Sequence, residues 1–94
     1  MAETIRILQT RSFSKAVKKL KANQKKDLDS AVKQLQMTPE AGEQKKGDLA
    51  YLRVYKFKMV SQLTLLGYSF EEGELTLQLI ALGSHENFYR DLKR

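Results

Sequence analysis

The hydrophobic period changes once along this chain, and that change limits the folds open to it. In the N-terminal part, Phe13, Ala16, Val17 and Leu20 recur at i, i+3, i+4 and i+7. Leu28, Ala31, Val32 and Leu35 repeat the same spacing. Side chains so spaced line one side of an α-helix. From residue 51 the pattern alternates instead, through "YLRVYKFKM" (51–59), "QLTLLGYSF" (62–70) and the more apolar "ELTLQLIAL" (74–82). Alternation is the period of a β-strand, so these stretches predict strands. A helical part followed by a run of strands reads as an α+β domain, its helices gathered on one face of a sheet.

The punctuation between these segments fits that plan. "TIRIL" (4–8) alternates weakly and predicts a short first strand. Ser12 is placed to cap the first helix and Asn23 the second, and the brief "KAN" connection predicts an antiparallel helical hairpin. Pro39 lies where the second helix should stop. The polar stretch "TPEAGEQKKGD" (38–48) reads as a loop, and "EEG" predicts a tight turn around Gly73. Within the last strand, Leu75, Leu77, Leu79 and Ala81 fall on one face, with Ile80 and Leu82 making part of the other apolar, as in a central strand. The expected architecture is a single domain over residues 1–94. It comprises a small antiparallel sheet in the order β-α-α-β-β-β, the helical hairpin on one face and a short C-terminal helix.

Composition closes several routes. The chain of 94 residues has no cysteine and one histidine, which excludes thiolate and His-rich metal sites. The start, "MAETIRILQT", lacks the apolar stretch of a signal peptide, and no segment approaches the length of a membrane span. A soluble cytoplasmic protein with no membrane partner is expected. The net charge of +6 is uneven: residues 1–47 hold eleven Lys and Arg against five acidic residues, and residues 48–94 hold six of each. The excess, concentrated in "KAVKKLKANQKK", suits nucleic acid or an acidic protein as partner, or a simple solvated helix face.

Two groups of residues can carry chemistry. His85 leaves the last strand just after Gly83 and Ser84. If Ser84 caps a helix there, His85 and Tyr89 share one side of it, and Phe88 and Leu92 can anchor it to the sheet. Imidazole is the side chain whose ordinary titration lies between pH 5 and 8, and a helix start favours a bound anion. In "YKFK", alternation sends Lys56 and Lys58 to one face and Tyr55 and Phe57 to the other. If the aromatic pair packs under the helices, the lysines line the open face of the sheet. The competing structural readings are a polar surface histidine and an edge strand guarded by charge. No Ser-His-Asp or Cys-His arrangement and no Gly-rich phosphate loop can be assembled.

The order of elements, "VYKFK", "LLGY" and above all "ALGSHENFYRDLK" resemble the RelE/ParE superfamily of bacterial toxins from type II toxin–antitoxin systems, over essentially the whole chain. The likeness is nearer to the RelE and YafQ branches, which cleave mRNA on the ribosome, than to the ParE branch, which poisons DNA gyrase. A Tyr-Lys-x-Lys strand carries two catalytic lysines in RelE, matched by Lys56 and Lys58. A Gly-Ser/Thr-His followed four residues on by an aromatic residue marks YafQ, matched by His85 and Tyr89. RelE has an arginine early in the third strand, where this chain has Gln62 and Thr64, and another after the last strand, where it has His85.

The resemblance implies a ribosome-dependent mRNA endoribonuclease with His85, Tyr89, Lys56 and Lys58 as catalytic residues. Arg53, Gln62, Lys18 and Lys19 are the expected substrate-binding residues, with the lysines of the first helix on ribosomal RNA. The implied partners are a cognate antitoxin, the ribosome through its 16S rRNA, and mRNA in the A site, with no cofactor and no metal. RNA can be cut by its own 2′-OH, which requires acid–base groups and fixed cations but no metal ion. The alternatives are a ParE-like gyrase inhibitor and a non-catalytic basic nucleic-acid-binding domain.

Overall fold

The computed structural model describes residues 5–84, 88 and 89. Strand β1 (Arg6–Gln9) leads into helix α1 (Arg11–Lys18), and helix α2 (Ala22–Met37) completes the hairpin. Then come the two-residue strand β2 (Glu43–Gln44), a 3₁₀ turn (Gly47–Leu49), and strands β3 (Arg53–Met59), β4 (Gln62–Glu71) and β5 (Thr76–Ser84). The sheet order is β1-β5-β4-β3-β2. The expected antiparallel meander β3-β4-β5 is present, but the sheet is mixed, because β1 pairs with β5 in parallel. β1 and β5 are separated in the chain by the helical hairpin and three strands, so no tight turn forces them to run antiparallel. The central position predicted for the last strand holds, with β1 on one side of it and β4 on the other.

The helix caps are displaced from the expected residues. Thr10, not Ser12, caps α1: its hydroxyl accepts from the Phe13 N–H at 3.2 Å and donates to the Ile80 carbonyl at 2.7 Å. That second bond ties the helix start to the sheet, a reward invisible to local spacing. Asn23 lies inside α2. The cap position is Lys21, whose backbone N–H donates to the Gln24 side chain at 2.8 Å. Helix α2 ends at Met37, two residues before Pro39.

The hairpin covers one face of the sheet, α1 lying against β5 and α2 against β3. Phe13, Leu28 and Leu35 from the helices meet Leu66, Tyr68, Leu77 and Leu79 from the sheet in the main core. A smaller cluster of Leu52, Val54, Leu65 and Phe88 sits on the opposite face. The predicted alternation of the last strand breaks at a bulge: Gly67 pairs with Ala81 but Tyr68 pairs with Leu79, leaving Ile80 unmatched. The extra residue reverses the faces beyond it. Leu82 therefore packs on the helix side, while Ala81 joins Ile80 on the opposite face. Leu75 is not in the strand. It closes the β4–β5 turn with φ +49°, and Gly73 does not take the left-handed conformation.

No distinct C-terminal helix is seen among the described residues. Phe88 and Tyr89, the described pair of that segment, have helical backbone.

The β3–β4 hairpin turns through Val60 and Ser61, with φ of +51° and +68°. Two left-handed residues make the turn that best matches the sheet twist, but Asn and Gly are the residues suited to it and valine is strained there. The Val60 N–H is held by the Asp27 carboxylate of α2 at 2.8 Å. Val60 is 42% exposed, so little packing would be lost on replacement. Val60→Asn is expected to raise stability by about 1–2 kcal/mol through relief of that strain, read as a higher midpoint in urea denaturation. A lower midpoint would show that the turn is not strained.

Candidate active site

The face of the sheet opposite the helical hairpin carries Phe88 and Tyr89 and a small group of charged side chains. On β3, Tyr55 and Phe57 pack against the helix-side core, their rings stacked at 6.1 Å. Strand alternation therefore turns Lys56, paired with Leu65, and Lys58, paired with Leu63, toward the opposite face, and both are exposed. Lys58 also borders a shallow cavity of about 260 Å³ that includes Asp27, Gln34 and Phe57.

The polar stretch read from the sequence as a loop adds an edge strand beside β3. Glu43 pairs with Val54 and Gln44 with Arg53, which makes β2, and the Lys45 N–H continues the ladder to the Leu52 carbonyl at 2.9 Å. Residues two apart on a strand share a face, so Glu43 and Lys45 project together on the side of Val54 and Lys56. The Lys45 ammonium lies 2.7 Å from the Glu43 carboxylate and 5.5 Å from the centre of the Tyr89 ring. The hydrogen bond from Lys45, then its charge, hold the Glu43 carboxyl below the usual carboxylate range, and the Lys56 charge acts in the same direction. Lys45 is correspondingly raised, first by Glu43 and then by its hydrogen bond to Tyr89. Lys45 thus links the Glu43 carboxylate to Tyr89, and the Lys56 charge acts on the same carboxylate.

Tyr89 is delivered by its neighbour. Phe88 is 2% exposed and lies over Gly67, where an added Cβ would meet the Phe88 Cζ at 2.7 Å. The two rings stand edge to face, 86° apart with centres 5.0 Å apart. The absence of a side chain at Gly67 is what allows the aromatic segment to sit down on the sheet.

The remaining predicted residues occupy other places. Arg53 faces away from Lys56 and braces the loop: its guanidinium donates to the carbonyls of Gly42 at 2.9 Å and Glu40 at 3.3 Å. Beside it Tyr68 donates to the Pro39 carbonyl at 2.5 Å and accepts from the Gly42 N–H at 2.9 Å, and burial pushes its phenol up. Gln62 and Lys19 meet at a cavity of about 280 Å³ that Ser84 also lines, where β5 ends. Lys18 is exposed on the last turn of α1. His85 lies outside the described residues, between Ser84, paired with Thr64, and Phe88. Sequence reasoning missed Lys45 and Glu43. Their i, i+2 spacing in "GEQKKG" was the available signal, but two residues of strand inside a polar loop carry no hydrophobic period to reveal them.

Among the described residues no group of three or more His, Cys, Asp or Glu could hold a metal ion, and no helix is long and apolar enough to cross a membrane. The fold is similar to several solved toxins. A doubly substituted Escherichia coli RelE bound to a peptide of the antitoxin RelB is 16% identical, covering 96% of this chain and 95% of that one, with a TM-score of 0.68. A chain of the archaeal RelE–RelB complex of Pyrococcus horikoshii is 17% identical over 87% and 96%, with a TM-score of 0.61. A metal-bound toxin of Helicobacter pylori is 24% identical over 88% and 97%, with a TM-score of 0.51. At such identities the likeness is one of fold. No curated protein matches the chain in sequence. Residues 7–93 match the family described as the ParE-like toxin of type II bacterial toxin–antitoxin systems. With nearly its whole length matched, the chain belongs to the ParE-like toxins of type II toxin–antitoxin systems.

Proposed function

We propose that this toxin acts in the cytoplasm as a ribosome-dependent mRNA endoribonuclease, kept silent by a cognate antitoxin that covers or distorts its site. The observation that supports the reading best is the group of charged and aromatic side chains on the open face, Lys45 on Glu43 and Tyr89 with the Lys56 charge also acting on Glu43. Cleavage of this kind forms a bond from the 2′-oxygen to phosphorus and breaks the bond from phosphorus to the 5′-oxygen. The 2′ proton must leave, negative charge must be held on the phosphoryl oxygens, and the departing 5′-oxygen must gain a proton. His85 is assigned a proton transfer, Lys56 and Lys58 the phosphoryl charge, and Tyr89 a stack on a base or a hydrogen bond to phosphate. Gln62 and Lys19 would contact RNA at the end of β5. Lys18, on the exposed basic helix, would dock on 16S rRNA by phosphate attraction. The complexes that RelE-type toxins form with RelB support the antitoxin as partner.

A 2′-deoxy nucleotide at the cleavage position of an A-site mRNA tests this chemistry. The modified message should bind programmed ribosomes with the toxin but resist cleavage. Unmodified RNA should yield a 2′,3′-cyclic phosphate or its 3′-phosphate product, and chelation should not slow the reaction. Cleavage of the 2′-deoxy message would refute the 2′-OH mechanism, and loss of activity on chelation would refute its metal independence. The family's ParE-like description supports a second reading, inhibition of DNA gyrase. Intact mRNA together with gyrase-dependent DNA breaks would select it.

A further inference from the structure

Glu43 sets an anionic group against a cation of the open face. Its carboxylate is 2.7 Å from the Lys45 ammonium, and the Lys56 charge also acts on it. The two partners differ in accessibility: the Lys45 side chain is 24% exposed, packed beside the Tyr89 ring, whereas Glu43 is 72% exposed. Lys45 is therefore the fixed member of the pair. Its backbone is bonded to Leu52, Gln44 beside it pairs with Arg53, and Leu49 just beyond packs against the smaller core. Glu43 therefore has more open solvent around it than Lys45. A carboxylate and a phosphate present similar anionic oxygens to an ammonium, and phosphate brings more charge and more acceptors.

Resting on the endoribonuclease reading, we propose that Lys45 is a further RNA-phosphate-binding residue of the open face and that Glu43 is its built-in competitor, which substrate phosphate must displace. Glu43 neutralises the cation in the free toxin and lowers the affinity of the site for loose RNA. An RNA positioned by the ribosome pushes the carboxylate out, because the positional cost is already met. Free transcripts and the ribosomal substrate are thereby separated by one displaced ion pair.

The separation can be read without cleavage, by fluorescence anisotropy of the full chain with a short, fully 2′-O-methylated oligoribonucleotide over a range of KCl. Glu43→Gln, close in shape but uncharged, should tighten binding about 2- to 5-fold, the size expected of a mostly exposed pair. It should also steepen the salt dependence by about 0.7 in log–log slope, one more phosphate neutralised on a single strand. Lys45→Met should weaken binding and flatten the slope by about the same amount, and Lys45→Arg should keep both. With Met at position 45, Glu43→Gln should lose its effect, which assigns the gain to the pair rather than to net charge. Unchanged or weaker binding by Glu43→Gln, or an undiminished gain in the Lys45→Met background, would overturn the proposal. The readout involves neither 2′-OH chemistry nor ribosomes, so it stands apart from the outcome of the cleavage test.

Discussion

His85→Ala should slow single-turnover cleavage of ribosome-bound mRNA by about 100- to 10,000-fold, the range lost with a general acid or base. It should relieve toxicity in cells and leave the urea midpoint of the purified protein close to wild type. The basis is where the chain runs on either side of it. Strand β5 runs to Ser84 in register with Thr64, and the chain returns to the open face at Phe88 and Tyr89. His85 follows Ser84, a residue locked in the ladder, and Lys56 lies on β3 paired with Leu65 of β4. Wild-type cleavage by His85→Ala on programmed ribosomes would remove it from the mechanism. Equal loss of stability and activity would make its contribution structural.

Phe88→Ala should lower stability by about 3–5 kcal/mol, the usual cost of emptying a fully buried phenylalanine site, a large part of the 5–15 kcal/mol that typically holds a domain together. Phe88 is 2% exposed and fills the space above Gly67 against Leu52, Val54 and Leu65. Activity should fall as well, because Tyr89 and Lys45 meet over the segment that Phe88 pins. The close approach to Gly67 gives a sharper measurement. Gly67→Ala alone should cost about 1–3 kcal/mol by overpacking, since its Cβ would stand 2.7 Å from the Phe88 Cζ. Phe88→Leu removes that atom, so the double variant should lose less than the sum of the single ones. Strict additivity in urea denaturation would show that Phe88 does not rest on Gly67.

The stretch around Lys56 shows how a local pattern becomes a site. Alternation in "YKFK" was enough to separate two lysines from two aromatic residues, because the helix-side face must be apolar and the strand period admits one solution. Yet which cations work beside Lys56 depended on a chain segment about ten residues away, and there the sequence had little to offer. Glu43 and Lys45 acquire a common face only when β2 attaches to the edge of β3. Arg53, on the same strand as Lys56 but of opposite parity, is spent on the carbonyls of Gly42 and Glu40 that hold this loop in place.

By itself, the sequence determined the two helices, the three long strands and the face of β3 that carries its lysines, since each follows from the spacing of apolar residues along a few turns or pleats. The tertiary structure alone decided that β1 pairs in parallel with β5, that Thr10 rather than Ser12 starts α1, and that Ala81 and Leu82 exchange faces across the bulge at Ile80. The first two rest on partners about seventy residues away, and the third on the adjoining strand β4. The free energy of a cap, a strand pair or a bulge is set by what it meets in space, and the local period is blind to that meeting.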